Sequence, residues 1–168
     1  MKKYILLAFM AIALTFGFAG CSVETDEEPG GTAVQKMAGR WTVSVYELDD
    51  NGNEIFEVTS MNKLMTYNTA DNSANQMWIT DNKGFWAFTM KVDIDYAART
   101  FSCTEVDYDA VATGKATITN GKILEGAGKN IHGMPTDSIV FDIKFSDDTP
   151  AYGTTYRFTG TRYSGFTE

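Results

Sequence analysis

The chain has 168 residues and a formal net charge of −8, and 13% of its residues are aromatic, with eleven Phe, eight Tyr and three Trp. Once a leader and a polar arm are set aside, about 130 residues remain, enough for one domain with a core and too few for two. The acidic balance excludes nucleic acid, and anionic lipid headgroups held by charge, while the aromatic and β-branched content favours sheet over helix.

Residues 1–20 fall into three parts: Lys2 and Lys3, an apolar run from Tyr4 to Phe18, and the small pair Ala19-Gly20 before Cys21. This is the layout of a secretory leader, and the run is too short for a comfortable membrane span. Its removal takes away the charges of Lys2 and Lys3 and leaves the mature chain at −10. Residues 21–36 carry Glu24, Asp26, Glu27 and Glu28 with almost no apolar content at first, and read as a flexible acidic tether. The domain proper is expected over 37–168, with one helical turn available just before it at Ala33 to Ala38.

In the first strand Trp41, Val43 and Val45 alternate with Thr42 and Ser44. Asn51-Gly52 predicts a two-residue hairpin loop pairing Asp50 with Asn53 and Leu48 with Ile55; Leu48 and Trp41 then face opposite ways, which a bulge near Tyr46 would accommodate. Strands follow at Asn62 to Thr69 and Gln76 to Thr80. The cleanest alternation sets Trp86, Phe88, Met90, Val92 and Ile94 on one face against Lys91, Asp93 and Asp95 on the other. Thr100 to Val106 places Cys103 beside Phe101, as a small buried thiol. Asn120-Gly121 predicts a second hairpin, Ile139, Phe141, Ile143 and Phe145 alternate with Val140, Asp142 and Lys144, and the last run points Tyr156, Phe158 and Arg162 one way. Short strands with frequent turn signals and no convincing helix predict an all-β fold: a single antiparallel β-barrel of about eight strands, with a two-sheet sandwich as the alternative.

Catalytic and metal chemistry find little support. The only histidine, His132, lies in a loop before Asp137 and Ser138, and neither Ser138 nor Ser164 sits in a Gly-X-Ser-X-Gly elbow. One His and one free Cys do not make a zinc site, and Asp49-Asp50-Asn51-Gly52 lacks the spacing of a calcium loop. Asp93, Asp95, Asp142, Asp147 and Asp148 fall on water-facing positions or turns. No catalytic residue, metal ligand or cofactor is assigned. The inward set Trp86, Phe88, Met90, Phe141, Tyr156 and Phe158 is the candidate ligand pocket, since a barrel of eight strands is either filled by its own side chains or holds one small ligand.

Phe18-Ala19-Gly20-Cys21 resembles the bacterial lipoprotein box, which implies cleavage before Cys21 and acylation of its sulphur, leaving Cys103 unpaired. The acidic run after it resembles the surface-export signal of Bacteroides-type lipoproteins, implying an outer-membrane anchor facing the cell surface, with a periplasm-facing anchor as the alternative. Gly39-Arg40-Trp41 resembles the Gly-X-Trp signature of lipocalin-type barrels, in which the tryptophan plugs the closed end under an arginine of the last strand, here Arg162. Thr66-Tyr67-Asn68-Thr69-Ala70, Met77-Trp78-Ile79-Thr80-Asp81, Phe88-Thr89-Met90-Lys91-Val92, Ile118-Thr119-Asn120-Gly121-Lys122, Asp137-Ser138-Ile139-Val140-Phe141 and Gly160-Thr161-Arg162-Tyr163-Ser164-Gly165-Phe166 are similar to segments of lipid-binding putative hydrolases with a lipocalin-like fold. That resemblance implies an exported lipoprotein barrel with an apolar interior; hydrolysis follows only from the family's name. The expected function is binding of a small hydrophobic or amphipathic ligand. The alternative is a filled barrel serving as an accessory subunit of an outer-membrane assembly through Tyr163, Phe166 or Trp78.

Overall fold

The structure is a computed structural model that describes residues 31–108 and 114–165. Those residues form eight strands and no helix: β1 (Gly39–Leu48), β2 (Glu54–Asn68), β3 (Gln76–Thr80), β4 (Thr89–Asp95), β5 (Thr100–Asp107), β6 (Lys115–Lys129), β7 (Pro135–Phe145) and β8 (Thr155–Arg162). Each strand pairs antiparallel with the next, and β8 returns to pair with β1, so the sheet is a closed barrel rather than a sandwich. Closure removes the strand edges that an open meander would leave exposed.

Alternation decides what lies inside. Trp41, Val43, Val45, Leu64, Met77, Ile79, Met90, Ile118, Phe141, Ile143 and Phe158 are buried, and the charged residues of the strands face outward except for Asp142 and Arg162. Cys103 is buried and unpaired among the described residues. Cys21 and Phe166 lie outside them.

Local chemistry departs from simple alternation at five places. The β1–β2 loop is longer than two residues: Asp49 N–H donates to the Asn53 carbonyl, the Asp49 carboxylate accepts from the backbone N–H of Asn51 and Asn53, and Gly52 takes φ +82°. The aspartate's competition for backbone donors widens the turn, and Leu48 pairs with Glu54 instead of Ile55. The expected irregularity in β1 is present, with register shifts on both sides of Val45.

Asn120-Gly121 is no hairpin. β6 runs straight through it as a bulge, with Asn120 at φ +56° and the register to β7 shifting between Thr119 and Lys122. A Cβ on Gly121 would stand 2.3 Å from the Phe101 carbonyl oxygen, so this glycine serves close strand approach rather than a turn. Trp86 is not on a strand, since β4 begins at Thr89 and residues 81–88 form a loop. Asp142 is buried rather than water-facing, because Arg157 covers it: Nε donates to Oδ1 at 2.8 Å and Nη2 to Oδ2 at 3.0 Å, and the Asn120 amide adds a third bond at 2.9 Å. Finally, the compact unit starts at Gly31, and Val34 is fully buried, so the last residues read as tether belong to the barrel.

Candidate functional site

The barrel has two unlike ends. At the end where β1 starts and β8 finishes, Trp41 and Arg162 are cross-strand neighbours. Residues in register on adjacent strands share a face, so both side chains point inward at the rim. The Arg162 guanidinium carbon lies 4.5 Å above the Trp41 ring. Its Nη1 donates to the Ala38 carbonyl and its Nη2 to the Lys36 carbonyl at 3.0 Å, while Nη2 stands 3.1 Å from the Asp137 carboxylate. Gly39 leaves room for this guanidinium, since a Cβ there would sit 2.5 Å from Nη1 and push the side chain aside. The Trp41 indole N–H donates to Thr66 Oγ1, which donates in turn to the Met37 carbonyl. The turn over residues 33–37 lies across this rim with Val34 and Met37 fully buried. This end is sealed by strands, a stacked cation and the hydrogen bonds of Arg162 and Trp41.

The opposite end is closed by a loop. Asp81 is fully buried at the end of β3 and turns its carboxylate back on the chain: Oδ1 accepts from Lys83 N–H at 3.1 Å, and Oδ2 from Phe85, Trp86 and Ala87 N–H at 3.0, 2.8 and 2.9 Å. That cradle holds Asn82, Lys83 and Ala87 at φ +51°, +62° and +60°, a region unfavourable for residues with a Cβ. The held loop drives two aromatics into the barrel mouth. Phe85 lies 5.0 Å from Tyr156 and 5.8 Å from Phe158 between ring centroids, and Trp86 stacks on Phe145 at 4.5 Å with 3° between planes. One carboxylate ties the arrangement down, as Asp147 accepts from Trp86 Nε1 at 3.1 Å and from the Tyr108 hydroxyl at 2.6 Å.

Of the six pocket candidates, Phe88, Met90, Phe141 and Phe158 are buried in the interior and Tyr156 lies at its mouth, whereas Trp86 reaches the same cluster from the loop. Phe141 stacks on Phe158 at 4.8 Å. Burial raises the pKa of the Tyr156 hydroxyl, with Asp148 and Glu47 adding to the effect. Sequence periodicity missed Asp81, Phe85 and the role of Asp147. The Thr80-Asp81-Asn82-Lys83-Gly84 run does carry a signal, since an aspartate opening an Asn/Gly-containing turn caps backbone donors downstream.

The residues tested for hydrolysis are spread out in function. His132 is exposed in the β6–β7 turn. Asp137 is engaged by Arg162 and by the Gly126 N–H, and Ser138 sits in β7 opposite Thr161 of β8. Tyr163 lies under Arg40, whose guanidinium carbon stands 4.0 Å from the ring centroid, and Trp78 stacks on Tyr67 at 6.4 Å. Of the clefts outside the interior, one of about 290 Å³ is lined by Asp49, Asp50 and Asp142, and one of about 420 Å³ across the Asn120-Gly121 bulge mixes Asp93 and Asp95 with Ile94 and Phe101. The chemistry the mouth offers is apolar and aromatic, suited to a hydrocarbon or ring.

Among curated proteins, none matches the chain. A family model described as lipid-binding putative hydrolase matches residues 26–167, which takes in every strand of the barrel. With that match over most of its length and a closed eight-stranded barrel beneath it, the chain belongs to the lipid-binding putative hydrolase family.

Proposed function

We propose that the chain is a lipid-anchored cell-envelope lipoprotein, tethered through Cys21 to the outer membrane and facing the cell surface, whose barrel binds a small hydrophobic or amphipathic ligand without transforming it. The observation that carries the ligand reading is the inequality of the two ends. One is sealed by paired strands and the Trp41–Arg162 stack, while the other is filled by Phe85 and Trp86 from a loop. A lipid chain occupies the space those two side chains fill, against Phe145, Tyr156 and Phe158.

Titration of the purified chain with a fluorescent fatty acid is expected to saturate at one probe per barrel. If no signal develops while the protein unfolds cooperatively, the ligand reading is wrong. Anchoring is tested separately: Cys21→Ala should abolish incorporation of a labelled fatty acid and release the protein from the membrane fraction. For hydrolysis, His132→Ala is assayed on short p-nitrophenyl esters, and retained turnover excludes that residue.

A second reading has its own support. Ile55, Phe56, Val58 and Met61 of β2 are exposed, at 57%, 53%, 37% and 62%, an apolar run of the kind that marks a protein interface. β3 pairs with β2 only between Met65 and Asn68, so among the described residues the earlier part of β2 has no partner on that side. This favours an accessory subunit, and purification from native membranes separates the readings, because a subunit brings a protein and a carrier brings a lipid.

A further inference from the structure

We propose that residues 82–87 are a hinged gate, that Asp147 is its latch, and that ligand exchange between solvent and barrel interior requires this loop to swing out as a unit. The inference rests on the ligand reading above for what passes through, and on the loop's own geometry for the motion. Three features converge. The loop is anchored at one root, since Asp81 is fully buried and accepts from four of its backbone N–H groups. It stores unfavourable backbone conformation, because Asn82, Lys83 and Ala87 all have positive φ without being glycine; such conformations persist only where surroundings impose them, and they collect at clamps and switches. The other root, Phe88, is buried and its carbonyl accepts from the Asp81 N–H at 3.3 Å, so the tip meets the wall only through ring contacts and one hydrogen bond, from the Trp86 indole N–H to Asp147, an exposed residue that also receives the Tyr108 hydroxyl.

Opening therefore removes one hydrogen bond to a solvated carboxylate and the ring contacts of Phe85 and Trp86, while leaving every strand pair intact. Opening at any strand pair would break a whole ladder, so the loop is the cheapest way in. The Trp86–Phe145 stack sets the closed position, and a hydrocarbon or ring lying on Phe145 replaces the indole there.

Amide hydrogen exchange on the full chain without ligand reads the gate directly. The amides of Lys83, Phe85, Trp86 and Ala87 are expected to exchange together and faster than those of Met90 and Val92 in β4. Trp86→Phe, which keeps an aromatic ring but removes the donor, and Asp147→Ala, which removes the acceptor for both partners, should each raise that exchange about fivefold without moving the β7 and β8 amides. The same variants should speed uptake of a fluorescent fatty acid by a similar factor and tighten its apparent affinity to match, because the ligand takes the indole's place and only the closed, empty state is weakened. Loop amides that open only with global unfolding, or that ignore both variants, overturn the gate whatever binds. Independent loop opening in a protein that takes up no fatty acid leaves the gate standing and removes the ligand reading instead.

Discussion

Replacing Arg162 by Met tests the sealed end with a magnitude that can be worked from its contacts. The variant keeps an unbranched apolar stem over Trp41 and loses the guanidinium. A cation over a fully buried indole contributes about 1–2 kcal/mol. The two bonds to the Ala38 and Lys36 carbonyls contribute about 1 kcal/mol each, because the arginine side chain is 26% exposed. The ion pair with Asp137, whose side chain is 24% exposed, adds at most about 0.5 kcal/mol. Against this, the buried Nε has no partner, and deleting it recovers about 1 kcal/mol. The net loss is about 2–3.5 kcal/mol, and at roughly 3–4 °C per kcal/mol for a domain of this size the midpoint should fall by about 6–14 °C. Thermal unfolding followed by circular dichroism and tryptophan emission measures it. Arg162→Lys should fall nearly as far, since an ammonium cannot both stack flat on the indole and fork to two carbonyls. A drop of less than about 3 °C for Met, or full stability for Lys, would refute the claim that a planar guanidinium seals this end.

Gly121→Ala should cost about 2–3 kcal/mol in urea unfolding, because its Cβ would meet the Phe101 carbonyl and ring and the carbonyl belongs to a paired strand that cannot retreat. Arg157→Met should cost about 3–5 kcal/mol by leaving the Asp142 carboxylate buried without its cation, and adding Asp142→Asn should recover part of that loss in the same assay. Burial pushes the Cys103 thiol up from 9.0 to about 11; it should resist a disulphide-exchange reagent at pH 8 until the protein is unfolded. Because the folded value exceeds the unfolded one, this thiol's contribution to stability is complete below pH 9 and is lost between pH 9 and 11, which a series of urea midpoints across that range reads.

Alternation made the barrel legible because the side-chain period of a strand is two and its faces meet different solvents. Ile139, Phe141, Ile143 and Phe145 in β7 could be placed inside from their spacing alone. The same rule failed at Trp86, where aromatics at 86 and 88 continue the period of β4 by coincidence. Residue 86 is instead brought in by hydrogen bonds to Asp81, which no periodicity reports. Asn-Gly was informative at Asn51-Gly52 and misleading at Asn120-Gly121, since a left-handed Asn followed by a close-packed Gly serves a bulge as well as a turn. Which use applies depends on Phe101, nineteen positions earlier in the chain. Asp142 read as solvated because its face was right and its neighbour unknown: Arg157 reaches it across the β7–β8 pair.

The two ends of the barrel also differ in what a perturbation does to them, and the difference bears on function. At the Trp41 end the guanidinium of Arg162 joins β8 to the turn before β1 and to β7, so any motion there breaks contacts to three segments at once. Such a site opens only when the barrel comes apart. At the far end buried Asp81 binds backbone groups of its own loop, so its four hydrogen bonds set the loop's shape and root it at the end of β3 instead of tying it to the opposite wall. The tie to the wall is the Trp86–Asp147 bond and the Phe85 and Trp86 ring contacts, whose apolar partners are as well satisfied by a lipid chain as by the loop. A protein built to hold a hydrophobic molecule needs one end that exchanges and one that does not, and only the loop end can yield while every strand pair stays formed.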